Sequence, residues 1–243
     1  MSLEQQIGAL VKASENLTGA VNGKIGDIDK EVEIAKAKFD KFIIQSRLEN
    51  AIFRQTKNQY CNLTGTNLDY FAKNAQYTIE VSLYRTIATG VVWSERDAEE
   101  KEIMTAMGMA GNQHFQPAIR VMKMVWSNYN SSAHSNYSIY PNPIANISGY
   151  ITVASYAKLI SGSISNMWLD GITDNWSLCG KHYNGRPGAY LHAHPYVGSA
   201  SGEVLFIWPG VVSGHVPLDK NAPKWGYWPS MYGESPYDAQ PGS

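Results

Sequence analysis

Two histidines one residue apart, His192-Ala193-His194, form the pattern with the most direct chemical meaning in this sequence. On a strand, side chains two apart point to the same side, so both imidazoles could reach one metal ion. His182 and His215 supply further nitrogens, and no cysteine or carboxylate stands at ligand spacing to the pair. Pro195 follows directly and suggests that a strand ends there, so the competing reading is two exposed or hydrogen-bonded histidines in a loop. A second chemistry-bearing run lies near the C-terminus. Trp225, Tyr227, Trp228, Tyr232 and Tyr237 fall within 13 residues, among Pro223, Gly226, Pro229, Gly233 and Pro236. Rings in a rigid, irregular segment could stack on the apolar faces of sugars while their polar tips meet hydroxyls. The alternative is that they bury against the protein's own body or across an oligomer axis.

Hydrolytic chemistry finds less support. Glycoside cleavage needs a pair of carboxylates flanking the bond. The second half of the chain offers Asp170, Asp174, Glu203, Asp219, Glu234 and Asp238. Asp170-Gly-Ile-Thr-Asp174 reads as a turn rather than a catalytic pair. There is no Gly-x-Ser-x-Gly, no phosphate-binding glycine loop and no His-Glu-x-x-His. Cys61 and Cys179 are read as ordinary thiols, too few for a disulfide scaffold. No enzyme activity and no tightly held cofactor are expected.

Two physical regimes must position these residues. Residues 1–60 carry 17 charged side chains, whereas residues 121–243 carry 12 but hold six of seven tryptophans and 11 of 15 tyrosines. In the first regime Ile7, Leu10, Leu17, Val21, Ile25, Ile28, Val32, Ala35, Phe39 and Phe42 recur at steps of mostly three or four. That spacing predicts a coiled-coil stalk over residues 1–49, because one chain cannot bury so narrow a stripe alone. Two successive four-residue steps between Leu17 and Ile25 make a stutter, where Gly19, Gly23 and Gly26 weaken the helix. Residues 50–112 read as a mixed α/β shoulder. Alternation from Tyr77 to Leu83 predicts a strand, and Ser94 with Asp97 resembles a capping box before a helix through Met104 and Met107. Residues 113–243 read as a mainly β head, sandwich or barrel-like. Its predicted strands are Ile119–Trp126, Gly149–Tyr156, Ser163–Leu169, Ala189–His194 and Val204–Trp208. With 20 basic and 21 acidic residues, net −1, nothing steers the chain onto nucleic acid or an anionic membrane. No apolar run approaches the roughly 18 residues of a membrane span. The opening Glu4-Gln5-Gln6 lacks a secretory pattern, so the Asn-x-Ser/Thr sites (Asn16, Asn62, Asn130, Asn136, Asn146, Asn175) read as polar turns.

The opening Met-Ser-Leu-Glu-Gln-Gln-Ile-Gly-Ala-Leu-Val-Lys-Ala-Ser-Glu-Asn-Leu-Thr, with Val21, Lys24, Ile28 and Val32 after it, resembles the N-termini of bacteriophage tail fibre proteins. The resemblance covers about the first 35–45 residues and does not extend to the head. It implies a segment that attaches to other tail or baseplate proteins and starts a homotrimer, in a protein made in the host cytoplasm and carried on the virion. The head would then meet a host-surface receptor, a glycan or a protein, by multivalent contact. Three weak sites on one trimer raise apparent affinity by about 10² to 10⁴. In some such fibres His-x-His pairs from three chains surround an ion on the three-fold axis, so His192 and His194 could hold a transition metal there. The alternative is a purely structural virion component, a baseplate, adaptor or head-fibre piece that docks other phage proteins.

Overall fold

The computed structural model describes residues 2–49, 53–142, 145–146 and 149–232, and of residues 43–49 and 146 the backbone alone. Two compact units divide the chain, Met1–Arg47 and Leu48–Ser243. The first is one long helix, α1 (Leu3–Glu49). Its start is closed by a reciprocal cap: the Gln5 backbone N–H donates to Ser2 Oγ at 3.3 Å and the Ser2 N–H donates to Gln5 Oε1 at 3.0 Å. This Ser-x-x-Gln signature satisfies two donors that a helix N-terminus otherwise leaves open. The helix runs unbroken through Gly8, Gly19, Gly23 and Gly26, helped by the absence of proline. Besides Ala35, the nine predicted stripe residues from Ile7 to Phe42 are exposed, between 45% (Val32) and 73% (Leu10).

The second unit is β-rich. In chain order it holds β1 (Leu63–Thr64), β2 (Asn67–Leu68), β3 (Phe71–Lys73), β4 (Thr78–Ile87), the helix α2 (Ala98–Ala106), β5 (Ile119–Ser127), β6 (Ile139–Pro141) and β7 (Ala145–Asn146). There follow β8 (Tyr150–Ser161), β9 (Ile164–Ser165), β10 (Ser177–Asn184), β11 (Tyr190–Leu191), β12 (Tyr196–Val197) and β13 (Gly202–Ser213). Five of these make the central antiparallel sheet, in the order β10-β8-β13-β5-β4. The others pair in twos: β1 with β2, β3 with β6, β7 with β11, and β9 with β12.

Both faces of the central sheet are buried at its middle strands β8 and β13, whereas the edge strand β4 leaves Thr78, Glu80 and Ser82 exposed. Alternate residues divide between two cores: Val204, Phe206, Met122 and Met124 pack with Trp168, Leu169 and Ile139, whereas Leu205, Ile207, Ile119 and Val121 pack with Ile103, Met104 and Trp225. One face therefore carries α2 and the C-terminal segment, and the other carries the short strands and loops. This single covered sheet replaces the expected sandwich or barrel. It also explains why β8 and β13 read as continuous apolar runs, since a strand buried on both sides has no polar face to show. The sheet joins residues from either side of position 112, since β4 lies beside β5 from Thr78↔Ser127 to Ile87↔Ile119.

Several predicted elements shift for identifiable reasons. The cap of α2 is Asp97, whose side chain accepts the Glu100 N–H at 2.8 Å, and Ser94 sits in the preceding single-turn helix. The expected strand Ser163–Leu169 stops at Ser165, because Asn166 and Met167 take left-handed backbone angles (φ 79° and 53°) and start a short 3₁₀ turn. Val204–Trp208 extends to Ser213: Trp208 and Pro209 are absorbed as a bulge between Ile207 and Gly210, where a residue without an N–H is tolerated. The edge strand β10 escaped the sequence reading, since Leu178 and Cys179 are followed by Gly-Lys-His with no apolar alternation.

Candidate functional site

The C-terminal aromatics are tied into the body by residues that precede the sheet. Trp225 is 3% exposed; its Nε1 donates to the Trp208 carbonyl at 2.9 Å and its own carbonyl accepts the Tyr156 hydroxyl at 2.7 Å. The Trp208 carbonyl is turned toward this contact by the bulge, where Trp208 itself has φ 51°. Gln59, fully buried, clamps the same segment. Its Nε2 donates to the carbonyls of Trp208 (3.2 Å) and Gly226 (3.0 Å), and its Oε1 accepts the Trp228 N–H (2.8 Å). Buried Arg54 donates to the Trp228 carbonyl at 3.3 Å and lies over the Tyr227 ring. Trp228 packs edge-on against Trp225 with its Nε1 buried. The predicted platform is thus divided. Trp225 is core, Tyr227 and Trp228 are half-buried beside it, and Tyr232 is 44% exposed with Lys57 Nζ 5.0 Å from its ring. Tyr237, Glu234 and Asp238 lie outside the described residues.

A different group of rings is left open. Tyr137, Tyr140, His192 and His194 line a cleft of about 330 Å³. Tyr140 meets His192 and His194 edge-on, at 5.2 and 5.9 Å between centroids, and Tyr137 lies 5.4 Å from His194. Tyr196 stands perpendicular to His194 at 4.9 Å, and Tyr190, 67% exposed, stands edge-on to His192 at 5.4 Å. Backbone clamps from buried polar side chains fix these loops. Asn74, 1% exposed, donates through Nδ2 to the carbonyls of Ser135 (2.8 Å) and Tyr137 (2.9 Å). The Tyr77 hydroxyl donates to that Tyr137 carbonyl, and buried Ser138 donates twice to the Pro195 carbonyl, from N and from Oγ, each at 2.9 Å. Each such bond removes a buried carbonyl that would otherwise cost about 1–3 kcal/mol.

His192 and His194 come together here, but not as neighbours on one strand. β11 ends at Leu191, and the His194 N–H donates back to the His192 carbonyl at 2.8 Å, a tight turn that brings the ring centroids to 6.0 Å. Burial and the neighbouring His192 hold the His194 imidazole below its ordinary range, and its Nδ1 is buried without a hydrogen-bond partner. Among the described residues no cluster of three His, Cys, Asp or Glu side chains is placed to hold a metal ion. His182 and His215 stack on one another at 3.8 Å, with His182 Nε2 donating to the Val216 carbonyl at 2.7 Å.

The remaining candidates are structural in character. Burial pushes the Cys61 thiol up to about 12 and raises that of Cys179, opposite to the shift a nucleophilic thiolate needs. Asp170 faces Lys181 at 3.9 Å, Asp174 accepts from the Asn175 side chain, and Asp219 accepts the Asn221 N–H. Glu203 lies on β13, opposite Ser161 and Val125. The open ring cluster was hidden from the sequence because Tyr137 and Tyr140 are some fifty residues from His192; their one shared signal is lack of charge. No protein-family model matches this chain, and no curated protein matches it in sequence.

Proposed function

We propose that this chain is a homotrimeric bacteriophage tail fibre whose β-rich unit recognises a host-surface receptor by multivalent, non-covalent contact. The observation that carries the reading is the exposed stripe of α1. A 47-residue helix, about 70 Å long, presents Ile7, Leu10, Leu17, Val21, Ile25, Ile28, Val32, Phe39 and Phe42 to solvent. Apolar area left in water forgoes about 25 cal/mol per Å², and the 3–4 spacing matches the seam of partner helices. The resemblance of the opening residues to phage tail fibre N-termini adds the setting: the N-terminal segment attaches to the virion, and the β-rich unit faces the host.

The second reading, a structural virion component that docks other phage proteins, draws support from the burial of Trp225 and the clamping of Trp228, which reduce the exposed aromatic surface at the C-terminus. The discriminating experiment is the absolute mass of the full chain by light scattering behind a sizing column. Three times the 26.9 kDa chain mass, with early elution, is the expected result. A monomer would remove the avidity argument and leave the docking reading ahead.

A further inference from the structure

The open ring cluster has three properties that together define a ligand class. The first is shape: at about 330 Å³ the cleft lies at the lower end of small-molecule sites, which suits a chain-end sugar rather than a long polymer segment. The second is composition. Phenol and imidazole rings give apolar faces for stacking, and their O–H and N groups both donate and accept, as sugar hydroxyls require. The third is charge. No Asp, Glu, Lys or Arg occurs between Lys123 and Lys158, or between Arg186 and Glu203, and these two stretches supply every described lining residue. Lys73, opposite Ile139 in the sheet, turns its ammonium to the Ile79 carbonyl at 3.2 Å. The depressed basicity of His194 keeps that imidazole neutral near pH 7. An anionic ligand would find no guanidinium or ammonium among the described lining residues, and a metal ion would find two imidazoles and no third His, Cys, Asp or Glu among the described residues.

We propose that the cleft lined by Tyr137, Tyr140, His192 and His194, extended by Tyr190, binds the terminal unit of an uncharged saccharide. The sugar's C–H face lies on the rings and its hydroxyls pair with the phenol and imidazole groups. This inference rests on the adhesin reading for its biological setting and assigns the receptor site to this cleft in place of the C-terminal aromatics. The loops arrive pre-set by Asn74, Tyr77 and Ser138, so little ordering entropy is lost on binding.

The test uses the full-length chain on immobilised neutral oligosaccharides ending in glucose, galactose, mannose, rhamnose or N-acetylglucosamine, beside sialylated and uronate-ended ones. Wild type, Tyr140→Ala, Tyr190→Ala and Tyr232→Ala are compared, each with its solution mass. The expected result is retention on a neutral glycan that falls about tenfold or more in Tyr140→Ala and Tyr190→Ala and is unchanged in Tyr232→Ala. Tyr190, being two-thirds exposed, can be removed without touching the core, so loss in that variant is not a folding defect. Retention only on acidic glycans, loss confined to Tyr232→Ala, or no glycan retained by the folded wild type would each overturn the proposal. A trimer that retains no glycan overturns the cleft and spares the fibre; a monomer with cleft-dependent retention does the reverse.

Discussion

The two aromatic groups of the β-rich unit differ at their extremes: Trp225 is core, Tyr190 is two-thirds exposed, and the rings between them are half-buried. At the C-terminus, Trp225 and Trp228 are drawn down because their own backbone groups are taken by Gln59, Arg54 and Tyr156. At the cleft, Asn74, Tyr77 and Ser138 take the backbone carbonyls of Tyr137 and Pro195, while the rings of Tyr140 and His192 line the cleft half-buried and Tyr190 is exposed. In both places a few buried polar side chains decide where the main chain runs. What differs is the side of that chain on which the rings fall. An aromatic count therefore says little about binding until the partners of the neighbouring amides and carbonyls are known.

This contrast can be broken most severely at Trp225. Trp225→Ala should lower unfolding free energy by about 4 kcal/mol, as for other buried large-to-small changes, whereas Tyr190→Ala should stay within about 0.5 kcal/mol. Urea denaturation followed by far-ultraviolet circular dichroism measures both, and near-equal losses would mean that the two regions are not distinct in kind. A middle-sized effect is expected at Asn74→Ala, which leaves the Ser135 carbonyl without its side-chain donor and the Tyr137 carbonyl with the Tyr77 hydroxyl, and should cost about 2 kcal/mol. That variant should also lower protection of the 135–139 amides in hydrogen exchange while leaving those of β13 unchanged.

The smallest effect is pH dependence at the cleft. The folded state holds His194 below its ordinary value of 6.5, so the unfolded chain takes up the proton first as pH falls. The stability tied to a neutral His194 is thus complete above 6.5 and is lost progressively below it. Comparing wild type with His194→Gln between pH 7.5 and 5.5 should show a steeper loss in wild type, and parallel curves would count against a buried neutral imidazole.

Much of this architecture was legible in the chain itself. The 3–4 spacing from Ile7 to Phe42 announces a long helix with one apolar stripe, because helical periodicity is a local property. Alternation around Ile79 and Val81 likewise marks β4 before any contact is known. Short apolar runs gave β5, β8 and β13 but not their arrangement, since a strand buried on both faces looks the same in a sandwich and in a single covered sheet. β10 stayed hidden because an edge strand with Gly180 and Lys181 in its middle carries little pattern.

At the candidate site the limits were sharper. His192 and His194 stood out by spacing, yet they do not share a strand, because the chain turns between them. The partners Tyr137 and Tyr140 are remote in sequence, and nothing local points from one pair to the other. Trp225 and Trp228 looked available for stacking only because the sequence cannot show that Tyr156 and Gln59 take their backbone groups. By itself the sequence determined the helix, its exposed stripe, the uncharged stretches and most strands, all of which follow from short-range spacing and composition. The tertiary structure alone decided which rings are core and which are open, because that depends on hydrogen bonds between residues more than fifty positions apart.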